Sequence, residues 1–434
     1  MKRTSIAITA FISAIIILAG CTKEDKTNID PSKGTLYEII EGSNTEYCLG
    51  DIGRKVEEYV PGGVEWIVER LKGLGISGID RLPEIIKDNT IYGSCIMKYR
   101  SSGNHGEEEW LTGRLYYPLA RNGETVLPEH ILIACHHTIG SNAQAPSAGI
   151  GLEAAMAANK GLVIVPDYLG YGSTSSIDHP YCIPEQTAIN VTDMLLASME
   201  YYNRLNMPIK GLPVYCEGYS QGGQAALAVV RYTQQNPHLP RLKKTICGGG
   251  PYSIDTMFNK WLESGKCSYP FGILATLTGL KACFPHIVTG SFEDYFSDEL
   301  LKSGLLEKFF SKEYSNGDLN KDLLAMAGEY PWTEADIHKL LSDEATDKTS
   351  QLYKQIQQAC RQCELTEGWD IQSPVAFLHA NDDEIVDYVN FELAEKNLKN
   401  SYTTFETLDY PIFSGHILNG AIFYARIICG EYLK

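Results

Sequence analysis

The sequence lacks several features by which whole classes of protein are recognised. Its 434 residues include 37 lysines and arginines against 54 aspartates and glutamates, which gives a formal net charge of −17. An acidic surface repels phosphate backbones, so we expect no nucleic-acid partner. No segment recurs with a period of roughly 20–50 residues, which argues against solenoids and propellers. The composition, 44% hydrophobic and 21% charged, is that of a globular protein with a large core.

The apolar run near the N-terminus is too short for a comfortable membrane span. Residues 6–18 are apolar apart from a few small polar residues, and they follow Lys2 and Arg3. A spanning helix needs about 20 such residues, whereas a shorter run after positive charges is typical of a signal-peptide core. The run ends in the letters LAGC at residues 18–21, which resemble a bacterial lipobox.

The lipobox resemblance implies a processed and lipidated protein. Residues 1–20 would be removed as a signal peptide, and Cys21 would become an N-terminus acylated with palmitate or a similar chain. Residues 21–33 are polar and turn-rich, which indicates a tether. We therefore expect a lipoprotein of the Gram-negative cell envelope, held at the outer membrane or cell surface by its N-terminal lipid. The alternative is an ordinary signal peptide with a chance cysteine.

Complete signatures for metals and nucleotides are also missing. Cys360 and Cys363 form a CxxC, but no second pair or histidine cluster accompanies it. Residues 73–78 match G-x-G-x-x-G without the strand that should precede it. Residues 318–322 resemble the start of a calcium loop, yet Leu323 stands where that loop needs glycine. We therefore expect no metal and no cofactor.

The cysteines are mostly isolated within apolar runs. Cys135, Cys216 and Cys247 lie in such runs, as does Cys429, and buried free thiols are the expected outcome. Export from the cytoplasm would allow disulfides to form. Cys267 and Cys283 are then the pair to test first.

From residue 95 onward, strand-like and helix-like segments alternate. Alternation of this kind predicts an α/β fold with a mostly parallel sheet and helices on both of its faces. The rhythm covers residues 95–252 and resumes over 373–434, so these are expected to form one core. Residues 253–372 are helix-like and aromatic, and we interpret them as a helical cap inserted late in the sheet. Residues 34–94 form an N-terminal extension, partly helical.

A candidate nucleophile lies in the letters GYSQG, residues 218–222. They are preceded by the strand-like LPVYC and followed by the helix-like GGQAALAVV. A strand, a sharp turn with serine at its tip and a helix together make a nucleophile elbow. Glycines two residues on either side of Ser220 avoid the side-chain clashes of that turn.

Serine needs a base, and the base needs an orienting carboxylate. On a fold of this kind the acid and then the histidine follow the serine in the chain. A strand-like segment leads into the acidic letters NDDE at residues 381–384, and His416 precedes the last helix. The candidate acids in and just after this loop are Asp382, Asp383, Glu384 and Asp387.

In this order of motifs the chain resembles the α/β-hydrolase superfamily, and within it the secretory lipase and esterase family of bacteria and fungi. The resemblance covers residues 95–434 and includes GYSQGG, VPDYLGYG and HANDDEIV. HANDDEIV is similar to H-G-x-x-D-x-x-V of the superfamily, with Ala380 in place of the usual glycine, and it implies Asp383 as the acid. His416 matches the terminal catalytic histidine, and the family carries its lid where this chain has the cap.

The oxyanion hole requires two backbone N–H donors. One is expected from Gln221, the residue after the nucleophile, and the other from the letters HHTIG after the third strand of the core. The superfamily often has His-Gly-x there, which aligns Thr138 as the donor, with Ile139 as the alternative. His136 and His137 are neighbours in the chain and are not expected to converge on one metal ion.

These motifs together predict a serine hydrolase of carboxylic esters, a lipase or esterase with a small-molecule or lipid ester as substrate. A serine peptidase on the same fold is the first alternative, and a non-catalytic surface binding lipoprotein is the second. The cap would lie over the edge of the sheet that carries Ser220. Its aromatic residues Phe258, Trp261, Tyr269 and Phe271 are candidates for the wall of the substrate pocket, unless the cap is a bystander domain.

Overall fold

The structure, a computed structural model, describes residues 37–50, 54, 63–73, 75–120, 122–410 and 415–434. The expected signal peptide, tether and lipidated Cys21 lie outside the described residues. Among the helices that are described, none combines the length and the apolar character that crossing a membrane requires.

A mixed β-sheet forms the centre of the molecule. The strands are β1 Tyr37–Ile39, β2 Thr45–Cys48, β3 Ile91–Ser102, β4 Glu108–Pro118, β5 His130–Cys135, β6 Gly161–Pro166, β7 Val214–Tyr219, β8 Leu242–Gly248, β9 Lys266–Cys267, β10 Ala335–Asp336, β11 Val375–Ala380 and β12 Thr403–Leu408. The central sheet has the order β1-β3-β4-β6-β5-β7-β8-β11-β12, and β2 pairs with β3. In this order the neighbours from β6 to β12 run parallel, whereas every pair that involves β3 or β4 is antiparallel. β9 and β10 pair with each other in a separate two-stranded sheet.

The middle strands are mostly apolar because both of their faces are covered, although β7 also buries Glu217. Every residue of β5, β6 and β7 is buried. Parallel sheets are stable mainly when helices pack on each side, since the strands then expose no surface to water. This architecture confirms the predicted α/β class with its mostly parallel sheet.

The helices are numbered in the same way along the chain. They are α1 Gly63–Lys72, α2 Leu82–Ile86, α3 Pro184–Arg204, α4 Gln221–Gln235, α5 Ile254–Ser264, α6 Pro270–Cys283, α7 Asp298–Lys302, α8 Leu305–Ser311, α9 Asn316–Ala327, α10 Asp343–Thr346, α11 Gln351–Gln362, α12 Val389–Leu398 and α13 His416–Ile428. A 3₁₀ helix, Leu152–Asn159, lies between β5 and β6.

Two apolar cores lie on the two faces of the central sheet. On one face α3, α4 and α12 pack against the strands, with Val191, Val229 and Phe391 among the buried contacts. On the other face lie α13, the 3₁₀ helix and the N-terminal helices α1 and α2. The N-terminal extension thus shares its core with the last helix of the chain, which places it close to His416.

The segment between β8 and β11 has an apolar core of its own. It contains α5 to α11, and its buried centre includes Phe258, Phe271 and Leu323. Lys312 fastens this cap to the sheet, since its ammonium donates to the carbonyl oxygens of Gly170 at 2.6 Å and Ser175 at 2.9 Å. Both acceptors lie in the loop after β6, so the cap is docked beside the carboxyl ends of the parallel strands.

The predicted pairing of Cys267 with Cys283 does not form. All eleven cysteines among the described residues are free thiols. Cys267 is buried in β9, while the Cys283 sulfur at the end of α6 lies 3.4 Å from the Asn104 side-chain oxygen. Cys360 and Cys363 are buried in the cap core, and no group of three metal-ligating side chains is found among the described residues.

Candidate active site

Ser220 occupies the turn between β7 and α4. Its backbone has φ 61° and ψ −126°, a region that non-glycine residues seldom adopt. The turn is held by the Ser220 N–H, which donates to the Gly248 carbonyl at 2.9 Å. Such strain is typical of functional sites and lifts the serine out of the strand onto the tip of the turn.

Two glycines make this turn sterically feasible. A Cβ atom on Gly218 would lie 2.1 Å from the Gly222 carbonyl oxygen. A Cβ atom on Gly222 would lie 2.0 Å from the carbonyl oxygen of Cys135 at the end of β5. Both positions exclude any side chain, which is the physical reason for the G-x-S-x-G spacing seen in the sequence.

His416 is the first residue of α13, and its ring meets the loop after β11. The imidazole Nδ1 lies 2.6 Å from Asp383 Oδ2. The other carboxylate oxygen of Asp383 accepts the backbone N–H groups of Ile385 at 3.0 Å and Val386 at 2.8 Å. Asp383 is therefore fixed on one side by its own loop and presents its second oxygen to the imidazole.

The carboxyl group of Asp383 is buried yet remains ionised. Burial by itself raises its pKa, but the His416 charge and hydrogen bonds from His379 and His416 outweigh that penalty. The pKa of Asp383 is consequently held well below its usual value. A permanently ionised acid at this point orients the histidine ring and favours its protonated form during a reaction.

The acids next to Asp383 accept hydrogen bonds from the backbone at the start of α13. Asp382 Oδ1 accepts the Gly415 N–H at 3.1 Å, and Glu384 Oε2 accepts the His416 N–H at 3.0 Å. Asp387 instead accepts the N–H of Val389 at 2.9 Å, at the start of α12. Of the four acids left open by the sequence, Asp383 is the one whose hydrogen bond to the imidazole is observed among the described residues.

Two further residues support this pair and were not foreseen. His379 Nε2 donates to the Val386 carbonyl at 2.9 Å and lies 3.4 Å from Asp383 Oδ2. The Tyr219 hydroxyl donates to the His416 carbonyl at 2.8 Å, and the two rings lie 4.9 Å apart. Both residues stand inside the quoted motifs, so their positions were visible in the sequence although their contacts were not.

Gln221, the first expected oxyanion donor, directly follows Ser220 in the chain. Gln221 is the first residue of α4, so its N–H has no carbonyl one turn earlier in the helix to bind. Its side chain donates to His179 Nε2 at 2.7 Å. Burial lowers the pKa of His179 to about 3, so that imidazole is neutral and can accept the bond.

Thr138 lines the same cavity as Ser220. Its hydroxyl lies 2.9 Å from the hydroxyl of Tyr181, a contact that orients the Thr138 side chain. The carbonyl of Ile139, the alternative donor residue, accepts a hydrogen bond from Tyr171 at 2.7 Å. Both residues follow β5 directly, in the loop where the second donor is expected.

The side chains of His136 and His137 have different surroundings. The His136 ring stacks on Tyr168 at 4.1 Å between ring centres, and its Nδ1 lies 2.7 Å from the His137 carbonyl. The His137 ring faces the cavity that contains Ser220. Burial lowers the pKa of each to about 4, so both are neutral at physiological pH.

A cavity of about 190 Å³ extends from Ser220 and His416, and we call it the α13 cavity. Tyr269 and Asn316 are the contributions of the cap to its lining. Phe258 and Phe271 are instead buried in the core of the cap, and Trp261 packs against that core. Of the four aromatic residues expected in the pocket wall, Tyr269 alone lines the α13 cavity within the described part of the chain.

Comparison with known proteins gives a structural likeness only. No protein-family model and no curated sequence matches the chain. The rice cell wall degrading esterase LipA from Xanthomonas oryzae superposes with a TM-score of 0.64 at 18% identity, over 92% of this chain and 96% of that one. Candida antarctica lipase A superposes with a TM-score of 0.52 at 17% identity, over 75% of this chain and 73% of that one. Superpositions at such low sequence identity show a common fold and no more, and the chain has the α/β-hydrolase fold.

Proposed function

We propose that the protein hydrolyses carboxylic esters through an acyl-enzyme formed on Ser220. The observation that carries the proposal is the convergence of three distant chain segments. Ser220 at its strained turn and His416 line one cavity, while Asp383 binds the far side of the His416 ring. A serine hydroxyl is a weak nucleophile until a base and an orienting acid are placed beside it, and this arrangement supplies both.

The reaction follows from these positions. His416 takes the Ser220 proton as the serine oxygen attacks the ester carbonyl, and Asp383 stabilises the imidazolium. The Gln221 and Thr138 N–H groups bind the oxyanion of the tetrahedral intermediate. His416 then gives the proton to the departing alcohol. In the second half a water molecule, deprotonated by His416, attacks the acyl-enzyme. His416 then returns the proton to the Ser220 oxygen as the bond to the acyl group breaks and the carboxylic acid leaves. No metal or cofactor takes part in these steps.

Ester hydrolysis is favoured over its two rivals. The structures that share the fold are named as an esterase and a lipase, which supports an ester substrate. A peptidase would need polar partners for the peptide groups flanking the scissile bond, whereas the surface of the α13 cavity is mostly apolar. A binding protein would have no use for the backbone strain at Ser220, which costs of the order of 1–3 kcal/mol.

Replacement of the nucleophile is the primary test. Ser220→Ala should lower kcat for p-nitrophenyl esters by about 10⁴ to 10⁶, because no other group can form the acyl bond. A fluorophosphonate probe, which loses fluoride as its phosphorus bonds to an activated serine, should label the wild type and not the variant. The melting temperature serves as the control for folding. Retention of more than about one tenth of the wild-type rate would contradict the proposal.

Turnover of an ester and an amide that carry the same acyl group distinguishes an esterase from a peptidase. An ester and an anilide with the same acyl group differ only in the leaving atom. We expect turnover of the p-nitrophenyl ester and little of the p-nitroanilide, relative to a peptidase assayed in parallel. A preference for the anilide would assign the chain to the peptidases while leaving the role of Ser220 intact.

We further propose that Cys21 carries a lipid anchor that holds the enzyme in the cell envelope. The lipobox-like letters LAGC at residues 18–21 support this proposal. Cys21 itself lies outside the described residues. Cys21→Ala should move the protein from the membrane fraction to the soluble fraction, because the acyl chains supply the apolar surface for partitioning. Cys48→Ala, which changes a free cysteine of the folded part, is the matched control and should stay with the membrane. Pelleting of the Cys21 variant would contradict the anchor.

A further inference from the structure

The α13 cavity follows one helix for most of its length. Its lining residues on α13 are Ile417, Gly420, Ala421, Tyr424, Ala425 and Ile428. Spacings of three and four place them on a single face of the helix, and the rise from Ile417 to Ile428 at ~1.5 Å per residue is about 16.5 Å. His416 stands at the start of this face. The cavity therefore begins at the catalytic histidine and continues along the helix as an elongated space.

The wall facing α13 comes from the N-terminal extension and the 3₁₀ helix. Leu82 and Ile86 of α2 are one turn apart and line the cavity, as do Leu152 and Ala155 of the 3₁₀ helix. α2 and the 3₁₀ helix both pack against α13 and against each other. All four side chains are aliphatic and offer no hydrogen bond, so this part of the cavity cannot satisfy the hydroxyl groups of a sugar or polyol.

The geometry points to a medium-chain acyl group as the occupant of the α13 cavity, a conclusion that rests on the proposed esterase function. The acyl group stays bonded to Ser220 through both halves of the reaction, whereas the alcohol must leave so that water can enter beside His416. A long aliphatic space that starts at these two residues suits the part of the ester that remains. The N-terminal extension, through α2, is thereby a determinant of acyl-chain specificity.

The size of the cavity sets the class of acyl chain. A cavity of ~150 Å³ lined by aliphatic side chains accepts a six-carbon molecule such as benzene. The α13 cavity, at about 190 Å³, is somewhat larger. It therefore accommodates roughly six to eight carbons beyond the reacting centre. Each buried methylene is expected to raise kcat/KM about fourfold until the cavity is full.

Two neighbouring isoleucines of α2 provide a matched test. Ile85 and Ile86 are both 3% exposed, but only Ile86 lines the cavity. Ile86→Ala and Ile85→Ala remove the same atoms from the same short helix, so they should destabilise the protein to a similar degree. The kcat/KM of each variant is measured on p-nitrophenyl esters from two to twelve carbons and expressed relative to the acetate. Ile86→Ala should move the optimum by about two to three carbons toward longer chains, and Ile85→Ala should leave it in place.

A filling substitution gives the opposite shift. Ala421→Leu adds three carbons on the cavity side of α13, and it should move the optimum toward shorter chains. Ala158→Leu, on the 3₁₀ helix but outside the cavity lining, is its control. If the α13 cavity instead holds the alcohol, these shifts will appear in a series of acetate esters of lengthening alcohols and be absent from the acyl series.

The possible failures are distinguishable. Equal profiles for the Ile85 and Ile86 variants, or a shift confined to the alcohol series, would overturn the acyl assignment and leave the esterase proposal standing. Absence of hydrolysis of every ester by the wild type would overturn the esterase proposal, and the acyl assignment with it. A wild-type optimum between about six and ten carbons with an Ile86-specific shift would support both.

Discussion

At the scale of single residues, three consecutive carboxylates divide the work of holding one histidine. Asp382 and Glu384 bind the backbone N–H groups of Gly415 and His416, and Asp383 binds the ring. The two outer acids fix where α13 begins, which in turn fixes where the imidazole stands. Only the middle acid is placed to stabilise an imidazolium, so the three should differ sharply in their effect on the rate.

Asparagine substitutions test this division. Asp383→Asn removes the charge that stabilises protonated His416 and allows the wrong ring tautomer, so kcat should fall by about 10⁴. Asp382→Asn keeps an oxygen that can accept the Gly415 N–H, and its kcat should fall by less than about tenfold. Steady-state rates with one p-nitrophenyl ester compare the two. A larger loss for Asp382→Asn would move the acid by one residue.

The Asp383→Asn variant can also be compared with the wild type in its stability toward acid. Because the folded pKa of Asp383 lies below that of an unfolded aspartate, about 3.9, its ionised form stabilises the protein above that pH. This stabilisation is lost progressively as the pH falls below the unfolded pKa toward the folded one. The wild type should therefore lose more stability than Asp383→Asn between pH 6 and pH 3, measured by urea unfolding. A parallel loss in both proteins would show that Asp383 is not held ionised by its partners.

At the scale of elements, the sheet was predictable and the pocket was not. β5, β6 and β7 are short, mostly apolar segments, and helical periodicity follows β6 and β7 in α3 and α4. Such patterns are local, so they can be recognised before any tertiary contact is known. Ser220 and His416 could be found because the roles proposed for them demand a fixed chain order and a turn of fixed composition. The bond from Tyr219 to His416 joins residues that lie far apart in the chain. The contacts of His379 with Val386 and Asp383 are local, but they depend on the conformation of the loop after β11, which the residue pattern does not show.

The cap shows why an aromatic segment is ambiguous in sequence. Phe258 and Phe271 are equally apolar whether they line a substrate pocket or fill a core, and the structure places both in the core of the cap. Tyr269 differs in having a hydroxyl that accepts a hydrogen bond from Asn316 at 2.9 Å at the edge of the α13 cavity. The N-terminal extension posed the reverse problem, since its short helices gave no sign of which sheet face they would cover.

At the scale of the whole molecule, the N-terminal extension is part of the main core. Ile67 of α1, Ile85 of α2 and Ile422 of α13 belong to one buried cluster that also contains Leu132 of β5. α1 packs on α2, and α2 packs on α13. A destabilising substitution in α1 should therefore lower the stability of the whole fold and also disturb the cavity beside His416.

A substitution in α1 tests this coupling. Ile67 is 1% exposed, and Ile67→Ala should lower the free energy of unfolding by about 2–5 kcal/mol, because it leaves a void in a shared core. Trp66→Ala, at a side chain that is 39% exposed on the same helix, should change it by about 0.5 kcal/mol or less. Urea unfolding followed by fluorescence and by residual esterase activity should shift together for Ile67→Ala. If the extension were an independent unit, the variant would instead unfold α1 early and leave the activity transition at its wild-type midpoint.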